Sequence, residues 1–421
     1  MDNRRTIIFN STALGASHIK DNKPCQDYSL SWRSDNGDTL VIIVCDGHGS
    51  STYVRSDVGS RLAAEAALDA IKSFIQGDPE WLNNTSGAVT ARESDEALRF
   101  NTEPPAPDAT DVEKARYEQR LKFIDQVDGI RDQDKVFEAL FTSIYEDWLS
   151  KIASDKEQNP FTEDELKLLN GNRIEKAYGS TLMAYVQTPN YWFAFHIGDG
   201  RLIGLNNNYQ WAELVPWDCN CFMNFTTSLC NSNPVPQFRY AFDATGNYPI
   251  AVFCCSDGVE DSYGDYTIAP ERLHTFYSGL LNSFFSQGFD STKKKIDDFL
   301  PKLSEKGSKD DMSLAGIIDL AAAKGFVVEC LQEQRKDIEK QIADLQLKKE
   351  SIDNRISVVV GDQAEDMPAV EDIPATPQES ESEPEPEPEP KPEPEPLPGP
   401  DTSIPDIKRK GVFQWIKEKF S

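Results

Sequence analysis

LVIIVCDGHG, residues 40–49, decides the reading of the fold. Six apolar residues run without a polar break from Leu40 to Cys45, the pattern of a strand covered on both faces, and the run ends on Asp46 followed by a glycine. AVFCCSDG, residues 251–258, repeats the arrangement and ends on Asp257. Between the two, TLMAYVQ at 181–187 and YWFAFHIGD at 191–199 are separated by Thr188, Pro189 and Asn190, which predicts a hairpin whose second arm closes on Asp199. Asp310 and Asp311 precede SLAGIIDL at 313–320, which reads as a closing strand. Strands grouped with interrupting helices, rather than strict alternation, point to an α+β sandwich and not to a doubly wound sheet.

An aspartate at the end of a buried strand, followed by glycine, puts a carboxylate beside exposed backbone carbonyls, where a hard cation finds oxygen ligands. A single Asp-Gly is an ordinary turn signal. Four acidic strand ends, at Asp46, Asp199, Asp257 and Asp310, are different, because burying like charges together costs many kcal/mol unless a cation shares them. The plainer alternative is that each aspartate caps a turn or a helix.

Outward from these strands, residues 54–75 and 113–153 carry helical patterning, with the strongest piece at KVFEALFTSIYEDWL. Residues 78–112 are rich in Pro, Ser, Asn and acidic residues and read as a surface loop, within a helical insertion bounded at about 78–170. The folded domain is expected over 1–322. From Val328 the apolar residues Leu331, Ile338, Ile342, Leu345, Ile352 and Ile356 keep steps of three and four, with Arg335 and Lys349 at two intervening positions. That is a coiled-coil pattern over 326–358, with a single helix packed on the core as the alternative. Residues 361–403 form an acidic, Pro-rich spacer expected to be disordered, with 13 acidic residues against Lys391 between Gly361 and Pro400. Within 404–421, IKRKGVFQWIKEKF at 407–420 places apolar and basic residues on opposite helical faces, the pattern of a docking helix or of a membrane-surface anchor, with a frayed, functionless end as the plain alternative.

The formal net charge of -28 over 421 residues disfavours nucleic acid and anionic lipid as partners. The N-terminus lacks the apolar run of a signal peptide, and no segment has a spanning length, so a cytoplasmic protein is expected. Eight cysteines without framework spacing read as free thiols. Cys219, Cys221 and Cys230 lack the further Cys or His pair of a metal site.

Six segments in order carry a resemblance: GASHIKDNKPCQDYS at 15–29, VCDGHGSS at 44–51, YGSTL at 178–182, HIGDGRL at 196–202, CSDGVED at 255–261 and GSKDDMSL at 307–314. Over about residues 10–320 the chain resembles the type 2C metal-dependent serine/threonine phosphatases, bacterial members in particular. The resemblance implies a four-layer α/β/β/α sandwich with two central antiparallel sheets, and a binuclear Mg²⁺ or Mn²⁺ site at one end. It implies that Asp46 bridges both metals, that the Gly47 carbonyl holds one, and that Asp257 and Asp310 complete the other. Asp199 matches a position that holds a third, weaker metal in some members. His48 matches the proposed general acid. The chain departs from the pattern in having Gln26, where many members carry Glu, ahead of Asp27, so that the second metal loses one anionic ligand or takes Asp27 in its place. It also has Asn22 where many carry a phosphate-gripping arginine, leaving His18 or Lys23 to substitute. The implied activity is hydrolysis of phosphoserine and phosphothreonine in proteins by a bridging hydroxide. The alternative is a catalytically weak phosphoprotein-binding module, recruited or self-associated through the coiled coil and tail. A nucleotide substrate is disfavoured by the absence of GxxxxGK[ST].

Overall fold

The computed structural model describes residues 6–77, 86–89, 109–110, 113–114, 117, 132–218, 220–221 and 225–361. Most of the expected surface loop at 78–112, the acidic spacer beyond Gly361 and the terminal amphipathic helix lie outside the described residues. The described chain divides after Val328 into two compact units. The first runs past the expected boundary at 322 because Ala323, Phe326 and Val327 are themselves buried, with Phe326 against Trp211.

The first unit is built on two antiparallel sheets. One contains β1 (Thr6–Ala13), β7 (Arg201–Leu205), β8 (Trp211–Glu213), β10 (Ala251–Cys255) and β11 (Met312–Asp319), in the order β1-β11-β10-β7-β8. The other contains β2 (Tyr28–Arg33), β3 (Leu40–Cys45), β4 (Ser86–Val89), β5 (Leu182–Gln187), β6 (Trp192–Ile197) and β9 (Arg239–Asp243), in the order β2-β3-β5-β6-β9-β4. The expected hairpin is present: Gln187 pairs with Trp192, and Thr188 N donates to Tyr191 O at 2.9 Å.

The unbroken apolar run of β3 has a physical reason, since successive side chains leave opposite faces of a strand and both faces here are covered. Leu40, Ile42 and Val44 share a core with Met183 and Tyr185 of β5, Val252 and Cys254 of β10, and Ala315 and Ile317 of β11, so the two sheets meet there. Val41, Ile43 and Cys45 face the other way, into a core with Ala63, Ala66 and Ala67 of the helix Ser56–Gln76 and Phe137, Phe141 and Trp148 of the helix Asp132–Gln158. The alanines keep that helix slim where it lies on the sheet, and Trp148 Nε1 donates to Gly59 O at 3.1 Å. On the far side Phe253 stacks on Tyr277 of the helix Pro270–Gln287, with ring centroids 4.4 Å apart, and Phe276 stacks on Phe299 of the helix Phe289–Lys306. Helices thus cover both outer faces, giving the four layers α/β/β/α.

The second unit, from Glu329, is described as the continuation of the helix Leu320–Gly361. Its residues from Leu331 onward are exposed. Every described cysteine is a free thiol, and among the described residues no helix is long and apolar enough to cross a membrane.

Candidate metal centre

Strand direction gathers the acidic residues. β3 and β6 each pair antiparallel with β5, so they run the same way and both deliver their C-terminal residues to one edge, where Asp46 and Asp199 follow. In the other sheet Cys255 at the end of β10 lies opposite Leu314 of β11 and Arg201 of β7. That register brings Asp257, the Asp310–Asp311 pair and the Asp199 turn to a common end.

Asp46, Asp199 and Asp257 each offer a carboxylate oxygen within 4.8 Å of the others, the one such group of potential metal ligands among the described residues. Burial first, then the charge of Asp257, pushes the Asp46 carboxyl well above the ordinary range, and burial followed by the charge of Asp199 does the same to Asp257. Asp199 is raised mainly by burial and held down in part by a hydrogen bond from Thr226. Three hard oxygen donors in mutual repulsion are a donor set that fits a divalent cation.

The backbone around the group is tightly specified. Asp46 N donates to Thr181 Oγ1 at 3.0 Å and Thr181 N to Asp46 O at 2.8 Å. Gly47 bridges to Ser180, and a Cβ on it would lie 2.5 Å from Gln26 O and 2.7 Å from Ser56 O, so a side chain would push the loop apart. Gly258 is crowded in the same way, by Asp311 O.

Gln26 donates through Nε2 to Ser56 Oγ at 2.6 Å and to His48 O at 3.2 Å, while its Oε1 is buried without a hydrogen-bond partner. An orphaned carbonyl oxygen is what a cation or its water would use. Asp27 is buried and accepts a 2.7 Å bond from Ser256 Oγ, and burial followed by the charge of Asp311 pushes its carboxyl to about 8. It does not join the three-carboxylate group, although its charge reaches Asp46.

The acidic pair before β11 divides its labour. Asp311 is buried and takes hydrogen bonds from Gly15 N and Gln26 N, both at 2.6 Å, and lies 2.9 Å from His18 Nδ1. It therefore ties both ends of the 15–26 segment to the start of β11, and His18, buried with it, serves that anchor. Asp310 is exposed; it stands outside the three-carboxylate group, yet its charge acts on both Asp257 and Asp27.

His48 packs on Tyr53 with ring centroids 4.6 Å apart, and its backbone N donates to Gly179 O at 3.1 Å. Burial, then the nearby Lys176, brings its imidazole down to about 4. Lys23 is exposed and lies with Nζ 3.4 Å from Gly49 O, beside the Asp46–His48 loop. Asn22 has a conformational explanation: it ends the helix Ala16–Asp21 in the left-handed region, at φ 52 and ψ 43, which asparagine tolerates better than arginine.

Two arginines that sequence reasoning passed over tie the neighbouring loop to the site. Arg201 pairs with Glu260 at 2.7 Å and with Glu213, and its guanidinium lies 3.6 Å from the Trp217 ring centroid. Arg239, fully buried, donates to Pro216 O and to Gly198 O, both at 2.9 Å, and lies 3.7 Å from Asp218. The signal for Arg201 was present in GDGRL, because a charged residue that opens a buried strand needs partners.

A family model for protein phosphatase 2C matches residues 14–301, more than half of the chain. No curated protein sequence matches it. Among solved structures, the chain is similar to the catalytic domain of the serine/threonine protein phosphatase PstP in complex with two manganese ions, at 14% identity and a TM-score of 0.38, over 74% of this chain and 97% of that one. It is similar also to the serine/threonine phosphatase of S. agalactiae, at 13% identity and 0.36, over 74% and 99%. The phosphatase Stp1 from Staphylococcus aureus aligns at 11% identity and 0.37, over 74% and 94%.

Proposed function

The chain belongs to the protein phosphatase 2C family, whose members remove phosphate from serine and threonine, and from that premise we propose that it hydrolyses phosphoserine and phosphothreonine in proteins at the Asp46, Asp199 and Asp257 site with Mg²⁺ or Mn²⁺. The observation that carries the reading is the convergence of those three carboxylates within 4.8 Å, each raised above its ordinary range by burial.

Asp46, Asp257 and Asp199 would hold the cations, with the Gly47 carbonyl, the exposed Asp310 and the unpartnered Gln26 Oε1 available to complete the ligand sets. When bound, divalent cations supply the positive charge that offsets the phosphoryl oxygens and acidifies a water for in-line attack. His48 is the residue beside the site suited, as the imidazolium, to donate its proton to the leaving serine or threonine oxygen. The negative charge of an incoming phosphate favours the imidazolium that Lys176 opposes. Lys23, at the lip, supplies positive charge toward the substrate phosphate. Asp311, His18 and Ser256 fix the loops that carry these groups.

Replacing Asp46 by Asn tests the assignment. The variant should fold, bind Mn²⁺ more weakly by calorimetry and lose turnover of a phosphothreonine peptide. Unchanged turnover would remove Asp46 from the metal centre. A folded wild-type chain that binds phosphopeptide without hydrolysing it would favour the binding-module reading, which rests on Gln26 and Asn22 standing where many relatives carry Glu and Arg. Faster hydrolysis of small phosphates than of phosphopeptides would redirect the substrate class.

A further inference from the structure

Of the helix Leu320–Gly361 only Ala323, Phe326 and Val327 are buried. Leu331, Ile338, Ile342, Leu345, Ile352 and Ile356 are 44–63% exposed along one stripe. A helix presenting so long an apolar seam to water gains most of its stability by covering it. With Ile342 at heptad position a, every d position is apolar, and the steps of three and four extend to Val359. Two of the a positions hold cations, Arg335 and Lys349.

We propose that this seam pairs with the same seam of a second copy of the chain, antiparallel, about a two-fold axis between Ala343 and Asp344. In a parallel, in-register pair each a residue meets its own copy, so Arg335 would face the partner's Arg335 and Lys349 the partner's Lys349 within the seam. The one compensating flank contact, Lys348 with the partner's Asp353, is exposed and weak against two like-charge layers.

In the antiparallel pair a residues meet d residues. With Ile342 against the partner's Leu345, Arg335 falls on the partner's Ile352 and Lys349 on the partner's Ile338. At the ends Val328 meets the partner's Val359, and Ile356 the partner's Leu331. Every a position finds an apolar d position and none is left over.

The stems of the two cations lie along isoleucine while their heads turn outward. Both heads already have an acidic neighbour on their own helix: Arg335 Nε is 3.4 Å from Glu339, and Lys349 Nζ is 3.3 Å from Asp353. The flanking positions contain no like-charge contact either, since Gln332 meets the partner's Asp353 and Glu339 the partner's Gln346. Self-complementarity about one point of the sequence is what an antiparallel pair of identical chains requires and an unrelated partner does not, and this is what selects the occupant.

The test uses the full chain. Sedimentation equilibrium should give twice the chain mass, and Ile342→Asp with Leu345→Asp should weaken self-association at least about a hundredfold while phosphopeptide turnover per chain stays unchanged. Orientation is read by electron–electron distances from a nitroxide amino acid incorporated at position 333 or 344. At about 1.5 Å per residue the antiparallel pair separates the two 333 labels by roughly 32 Å along the axis and leaves the two 344 labels close. Two short distances mean a parallel pair, and a monomer means that the seam serves another protein; either result overturns the proposal.

Discussion

From Leu40 to Cys45 six consecutive apolar residues are 0–3% exposed, whereas the six apolar residues of the seam from Leu331 to Ile356 are about half exposed. The first region is apolar without a period because a sheet lies on one side of it and helices on the other. The second is apolar every three or four residues because one stripe alone has to be covered. Hydrophobicity is therefore satisfied within the chain in one case and left for a partner in the other. The same contrast holds for charge, with acidic residues converging at the strand ends and cations spaced singly along the seam.

The sharpest way to break the comparison is to place a carboxylate in each region. Ile43→Asp buries a charge between sheet and helices and should cost roughly 4 kcal/mol or more, enough to unfold most of the chain. Ile342→Asp, on the exposed helix, should leave the thermal unfolding of the phosphatase unit within about 0.5 kcal/mol of wild type. Equal losses would mean that the seam is part of the core.

Next in size is the effect of the strand-end acids. Asp46→Asn should reduce phosphopeptide turnover by about a thousandfold or more, the several kcal/mol that a lost metal ligand is worth at the transition state. The metal-free variant should unfold at the same temperature as wild type or higher, because the charge of Asp257 no longer acts on an acid at position 46. Gln26→Glu, which adds an anion beside Gly49, should tighten Mn²⁺ binding about tenfold by calorimetry, and weaker binding would show that the carboxamide is the better ligand here.

The smallest contrast is between ion pairs. Arg55 binds Glu165 at 2.8 Å and stacks on Phe161, and that guanidinium holds the Glu165 carboxyl down at about 2, against an ordinary 4.5. A depressed folded value means stability that is complete above pH 4.5 and lost as the pH falls toward 2. The stability gap between wild type and Glu165→Gln, about 1 kcal/mol near pH 6, should close across that window in urea titrations. Glu339→Gln removes an exposed pair and should change stability by about 0.3 kcal/mol near neutral pH.

Where the sequence spoke clearly, the reason was local. Asp46, Asp199 and Asp257 each end a strand pattern, so their meeting needed only the sheets to form. The division between Asp310 and Asp311 was not legible, because two adjacent identical residues differ only in what the fold brings to them. Here that is Gly15, His18 and Gln26, more than 280 positions earlier in the chain. His18 was for the same reason open to reading as a phosphate ligand, and Arg239 went unnoticed because its partners, Pro216 O and Gly198 O, are backbone atoms that no motif announces. Asn22 is legible only once the left-handed turn is seen.

The central claim is tested most directly by phosphate release from a phosphothreonine peptide by the purified chain, with EDTA, Mg²⁺ or Mn²⁺ as the only variable. Turnover that requires Mg²⁺ or Mn²⁺ and vanishes in EDTA is the result expected from the converging carboxylates. Turnover that persists in EDTA, or none with either cation from a folded chain, would contradict it.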